Sequence, residues 1–377
     1  MKPKLLSLVV LLAVLISSNG FSVTIGTWYG CPAPDPNKPA VDANKPACLP
    51  RTGSWKEAYW NGPNNPGIHL PPGPGASKDE IKITRAKTVC TLDSDAGNYL
   101  CKLSIAGGSE ESNAPRLEIT AGGQIGIGEF RVGAGGSTAS GPIGCVNQTG
   151  GTVKLGEDLL VGRYGTSSKN PNEGKGIYTI SGGTITCDAA NTKAGLYIGG
   201  AGSAGQSEGT FTVIGSTANI NFKKLNIGND GTHTGCSGTV EFKIGSSGIS
   251  PIRVSNGINI DPSNENSTKL IVSATAESPK ADVLLIENQG NEPVNGTFDT
   301  VNGNPAPEGA SVVLSFGGNN YGYNLTYKGG AGNNDIMLRY VPQPATAPAP
   351  APAAPVTETP AAPEPPAPPA PAAPKSE

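Results

Sequence analysis

The chain has 377 residues, of which 53 are Gly and 35 Pro, and only 15% are charged. That is length enough for a sizeable core but little helix-forming sequence, and it predicts an all-β chain. The formal charge of −3, about −5 once Lys2 and Lys4 leave with the leader, excludes a basic footprint for nucleic acid or anionic lipid.

Residues 1–20 carry Lys2 and Lys4, the apolar run from Leu5 to Ile16, and small residues ending in Ser18-Asn19-Gly20. This is the layout of a secretory signal peptide. The apolar run is too short to span a bilayer comfortably, and no later stretch reaches the roughly 18 apolar residues that a spanning helix needs. The expected mature chain is exported, at the cell surface, extracellular or periplasmic, with no transmembrane segment. Cys31 follows Trp28-Tyr29-Gly30 rather than a lipobox, so no lipid anchor is expected.

Residues 21–76 form an irregular Pro- and Cys-containing segment and cap, with Pro32, Pro34, Pro36, Pro39, Pro46 and Pro50 breaking any ladder. Cys31 and Cys48 bracket one loop, and Cys90 and Cys101 the next. In an exported protein both pairs are expected to be disulfides that staple ends short of core, since a zinc site needs close spacing and histidine partners. Cys145, Cys187 and Cys236 are left over; Cys187 reads as a buried small hydrophobe, while cross-coil pairing stays open for Cys145 and Cys236. Trp28, Trp55 and Trp60 all precede the repeats. Trp55 and Trp60 either cover the open end of a stacked core or offer flat faces to a sugar ring.

Residues 77–341 are expected to form a solenoid. Four short phrases end in glycine: Phe130-Arg131-Val132-Gly133, Leu159-Leu160-Val161-Gly162, Leu196-Tyr197-Ile198-Gly199 and Leu225-Asn226-Ile227-Gly228, with steps of 29, 37 and 29 residues between the glycines. A second phrase lies upstream of each, beginning at Gly122, Gly150, Gly182 and Gly215. Both alternate apolar and polar residues, the period-two signal of a strand, and the longer period says one unit is stacked repeatedly. The columns read as inward ladders: Ile125, Val153, Ile185 and Ala218; Ile127, Leu155, Cys187 and Ile220; Phe130, Leu159, Leu196 and Leu225; Val132, Val161, Ile198 and Ile227. Segments such as Arg163 to Gly176 and Gly200 to Gly209 are loops leaving one edge.

The segments Trp55, Trp60-Asn61-Gly62-Pro63, Pro71-Pro72-Gly73 and Asp79-Glu80-Ile81 resemble the entry of bacterial exported β-solenoid proteins. Downstream, Gly296-Thr297-Phe298, Pro307-Glu308-Gly309-Ala310, Tyr323-Asn324-Leu325-Thr326-Tyr327 and Gly329-Gly330-Ala331-Gly332-Asn333-Asn334-Asp335-Ile336 resemble the terminal module of autotransporter-associated β-strand repeat proteins. The middle repeats resemble the same group. The resemblance implies a right-handed parallel β-helix exposed on, or released from, the cell surface, with a structural or adhesive role. Two departures are expected: no membrane barrel after Tyr340, and no sorting anchor at Pro374-Lys375-Ser376-Glu377. Residues 342–377 are instead a Pro/Ala tail, a disordered segment or polyproline II spacer that reaches roughly 100 Å.

Candidate chemistry is sparse. His69 and His233 are the only histidines, too few for a zinc cluster. A β-helix lyase or hydrolase needs acidic residues gathered on one face. Glu157, Asp158, Asp188, Asp230 and Glu241 fall in different columns. Gly329 to Asp335 is similar to a calcium nonapeptide but occurs once, with an extra residue, and fits a tight terminal turn better. Gly122 to Gly128 lacks the helix and Lys-Ser or Lys-Thr pair of a phosphate loop. Asn-x-Thr matches at Asn147, Asn266, Asn295 and Asn324 are the chance yield of a Gly/Thr/Asn-rich chain. No catalytic, cofactor-binding or metal-ligating residue is therefore assigned. The expected role is a non-catalytic structural or adhesin-like surface or matrix protein, whose partner is a cell-envelope polysaccharide or a second copy of itself. The alternatives are a carbohydrate-binding protein using Trp55, Trp60, Tyr164 and Tyr197, and a polysaccharide lyase or hydrolase.

Overall fold

The computed structural model describes residues 27–28, 52–54, 80–83, 89–93, 95, 100–107, 110–134, 142–163, 174–189, 191, 194–201, 207–228, 236–261, 267–278 and 280–342. The leader, most of the 21–76 segment and the tail beyond residue 342 lie outside them. Among the described residues there is no α-helix; regular structure is strand, with one 3-10 turn at Glu111–Asn113.

The chain is a parallel β-solenoid of about five turns. Where the sequence pattern predicts two strands per coil, the structure has three. The first full coil runs Ile143–Gln148, Thr152–Leu155 and Leu159–Arg163; the second Gly174–Ile180, Gly183–Cys187 and Gly195–Ala201. The third runs Ser207–Ile214, Ala218–Phe222 and Lys224–Ile227; the fourth Ser237–Ile244, Ile252–Val254 and Ile258–Ile260. The fifth runs Ser267–Ala274, Val283–Asn288 and Asn295–Gly296. Each strand pairs in parallel with its counterpart one coil on, giving faces one, two and three in that order. Upstream, Arg116–Ile119 and Val89–Leu92 extend face one, and the long strand Gln124–Ala134 supplies both other faces at once.

Face three follows the predicted columns. Phe130, Leu159, Leu196 and Leu225 stack in register, as do Val132, Val161, Ile198 and Ile227, and the columns continue to Ile258 and Ile260. Face two departs in its fourth member: Ala218 pairs with Gly183, so Ile185 stacks on Ile220 rather than on Ala218. The phrase that begins at Gly215 reaches the same register two residues later than the one that begins at Gly182. Face one supplies the columns Leu117, Val146, Tyr178, Phe211, Val240, Leu270 and Ile119, Gln148, Ile180, Val213, Phe242, Val272.

The inside is mainly apolar, and Gln148 enters it. Tyr178 and Gln148 are both fully buried, and the Tyr178 hydroxyl donates to Gln148 Oε1 at 2.7 Å. Gln148 Nε2 then donates to the carbonyls of Gly150 at 3.1 Å and Thr184 at 3.2 Å. Burial holds the Tyr178 hydroxyl well above its ordinary pKa, so it stays a donor. Its ring stacks on Phe211 with centroids 5.4 Å apart and meets the Phe130 ring edge-on at 6.0 Å.

The coils interlock where face three passes to the next face one. Gly133, Gly162 and Gly199 have φ of 70°, 72° and 58°, and Gly144, Gly176, Gly209 and Gly238 stack as one column inside face one. A Cβ on Gly162 would lie 2.0 Å from the Glu208 carbonyl oxygen, and one on Gly209 would lie 2.2 Å from the Val161 carbonyl oxygen and 2.3 Å from Gly199 N. Two backbones cross there with no room for a side chain.

The far end is closed. Asp335–Val341 pairs antiparallel with Val283–Asn288, and Thr300–Val301 turns back onto Asn304–Pro305 through Asn302 (φ 49°) and Gly303 (φ 81°). Asn-Gly with both φ positive is the favoured two-residue hairpin turn. Asn302 also accepts from Val272 N at 2.8 Å and donates to Val272 O at 2.9 Å, replacing a strand that is not there. The predicted tight turn is present, with Gly329 paired to Asp335. Asp335 Oδ1 accepts from Asn288 N at 2.8 Å.

Cys90 does not form the expected staple with Cys101. It is a free, fully buried thiol in face one, in register with Leu117, and serves as a small core hydrophobe. Cys31 and Cys48 lie outside the described residues.

Two outcomes check this packing. Gly209→Ala is expected to lose about 3 kcal/mol by overpacking, against about 1 kcal/mol for Gly215→Ala, where φ is 64° but nothing lies within 4 Å. Urea midpoints read the difference, and equal shifts would refute the crossing. Tyr178→Phe leaves Gln148 Oε1 unpaired and is expected to cost about 1–3 kcal/mol; adding Gln148→Leu should cost less than the sum of the single changes.

Candidate functional site

Because face-three columns alternate, the residues between the buried Leu and Ile positions point outward. This outward column runs Arg131, Leu160, Tyr197, Asn226, Asn259 and Asn295, one residue per coil. At its start Arg131 holds Glu129 through two bonds of 2.8 Å, with Lys102 3.4 Å away, and Leu160 is only 4% exposed. From Tyr197 onward the column opens into a groove of about 570 Å³, also lined by Lys224 and Glu292.

The asparagines form a ladder. Asn259 Nδ2 donates to Asn226 Oδ1 at 2.9 Å, and Asn295 Nδ2 donates to Asn259 Oδ1 at 3.1 Å. Tyr197 is half-buried, and its ring lies across Gly195: a Cβ there would sit 3.0 Å from Tyr197 Cε2. The groove thus offers amides in a fixed line, an aromatic ring at one end, and one charge of each sign.

Of the aromatic candidates, Tyr197 lies in this groove; Trp55, Trp60 and Tyr164 lie outside the described residues. The ladder residues escaped the sequence reading, although Leu225-Asn226-Ile227 and Ile258-Asn259-Ile260 carry the signal. The acidic candidates are dispersed. Asp158 accepts from Gly195 N at 2.9 Å, Asp188 pairs with Lys154 at 3.6 Å, and Glu241 accepts from Thr212 Oγ1 at 2.9 Å on face one. Glu157 is an exposed corner residue, and Asp230, His69 and His233 lie outside the described residues. Among the described residues no three His, Cys, Asp or Glu side chains gather as a metal site would require.

Cys145 lies on the outer side of face one, buried with Ala114, Ile143 and Ile177, and burial raises its pKa. The Cys187 thiol donates to the Asn221 carbonyl at 3.5 Å while packing against the core, and its pKa is also raised chiefly by burial. Cys236 is buried. Burial, with the nearby Asp93 carboxylate, pushes the Cys90 thiol up to about 12. Arg116 and Lys175 lie near Cys145 and Lys223 near Cys187, but burial outweighs these charges, so neither thiol has the lowered pKa of a reactive cysteine.

Comparison with protein-family models, with curated proteins and with solved structures returns no match. The class is therefore set by the chain's own fold, a parallel β-solenoid.

Cys90 is expected to resist iodoacetamide in the native, non-reduced protein and to be alkylated fully after unfolding in urea. A disulfide-linked Cys90–Cys101 peptide in the mass spectrum would overturn the buried-thiol assignment.

Proposed function

We propose that this chain is an exported, non-catalytic surface or matrix protein with a structural, adhesin-like role. The observation that carries the reading is the interlocked coil. Its glycine crossings fix the stagger of the first four coils, while its outward columns, among the described residues, present Thr, Asn and ion-paired side chains rather than a gathered acid/base pair. The leader-like residues 1–20 support export, and the Pro/Ala tract after residue 341 supports a spacer that holds the solenoid away from its attachment. No helix among the described residues is long and apolar enough to cross a membrane, which is compatible with that placement.

Fractionation of native cells, followed by negative-stain microscopy of the fraction holding the protein, tests the role. Recovery in the envelope or matrix is the expected result. A soluble periplasmic monomer would sink the structural reading, and product release from neutral or uronic glycans would sink the non-catalytic part.

A further inference from the structure

We infer that the open groove of face three binds a linear, neutral polysaccharide laid along the rungs. The inference rests on the surface-protein reading only for where the polysaccharide is met; the groove chemistry stands apart from it.

Three features select that ligand. An Asn amide has two N–H donors and an oxygen with two lone pairs. The ladder uses one donor and one acceptor at Asn259, one acceptor at Asn226 and one donor at Asn295. Each rung therefore keeps hydrogen-bonding capacity, uncharged and able both to give and to accept, which is what a sugar hydroxyl requires. Tyr197 adds a ring whose negative π face attracts the slightly positive C–H groups of a pyranose. Its ring is already packed across Gly195, so little freedom is lost on binding.

The third feature is charge. Lys224 and Glu292 both line the groove and offset one another. A polyanion would meet Glu292 and a polycation Lys224, each with one repulsive contact, whereas a neutral chain meets neither penalty. Geometry sets the length: the four rungs from Tyr197 to Asn295 span roughly 14 Å at strand spacing, a trisaccharide-sized stretch. The line of amides runs along the stacking direction, and the groove ends one rung before Tyr197, where the equivalent position is the buried Leu160.

Native affinity electrophoresis tests this with soluble xylan, galactomannan, β-1,3-glucan and hydroxyethylcellulose in the gel, and polygalacturonate as the charged comparison. The expected result is retardation by at least one neutral polymer. Tyr197→Ala and Asn259→Ala should each weaken it about tenfold or more, while Lys269→Ala, on the outward side of face one, leaves it unchanged. Tyr197→Ala removes the ring and keeps all three amides, so it reads binding even if Asn259→Ala lowers the urea midpoint. Retardation by polygalacturonate alone, no retardation by any neutral polymer, or retardation that survives both groove substitutions would each overturn the inference. The two readings fail separately. An envelope-bound protein that ignores every neutral polymer loses the groove alone, and a soluble monomer that binds one loses the structural role alone.

Discussion

Everything in this solenoid depends on the backbone crossing between face three and the following face one. At each crossing a corner glycine with positive φ lies against the strand glycine of the next coil and the main chain of the coil beyond it, so close that a Cβ on either glycine would lie about 2 Å from main-chain atoms. Such a contact cannot be relieved by rotating a side chain, because the atoms it meets are backbone. The crossing therefore fixes the stagger between successive coils. Once that is set, period-two alternation sends Leu, Ile and Val inward on all three faces, and a slip of one residue would turn every column inside out. The core is a consequence of that register as much as a cause of it.

The same constraint explains how the solenoid stops. In the fifth coil Thr268 occupies the position in register with Gly238, and Asp261 replaces the corner glycine with a φ of 24°. The tight crossing ends there and side chains take over its role. Asp299 Oδ2 accepts from Thr268 N at 2.7 Å, Asn302 satisfies both main-chain groups of Val272, and Asp335 takes Asn288 N. Open strand edges invite another chain to pair. Here face two is met by an antiparallel strand, and face one by the short parallel strand Thr300–Val301 with its antiparallel return and by side chains that imitate a strand, so those two edges do not template a further coil.

How much of this was legible depended on spacing. Faces two and three announce themselves because short glycine-ended phrases recur before any variable segment intervenes. Face one was missed because each of its strands follows a loop of different length, which breaks an alignment anchored on the corner glycines. Yet its signal was present in Gly176-Ile177-Tyr178-Thr179, Gly209-Thr210-Phe211-Thr212 and Gly238-Thr239-Val240-Glu241, where glycine precedes the inward residue by two. Cys90 and Cys101 looked like a local staple because they lie close in sequence, but period two places Cys90 inside, opposite Leu117. Tyr197 was visible as an aromatic between two core residues. The groove was not, because its other walls come from coils 29 or more residues away, and only the register brings Asn226, Asn259 and Asn295 onto one line.

That line has a physical meaning beyond joining coils. A water-exposed amide–amide bond adds only about 0.5–1.5 kcal/mol, since solvent competes for both groups, and the buried columns beside it already hold the coils together. What the ladder does supply is orientation. Each amide is held by its neighbour, and the coils that carry Asn226 and Asn259 are set by the glycine crossings. A ligand with hydroxyls at a regular spacing then meets donors and acceptors that have already lost their rotational freedom, the condition under which weak hydrogen bonds contribute net affinity. The constraint that builds the solenoid is thus the one that aligns its outer surface.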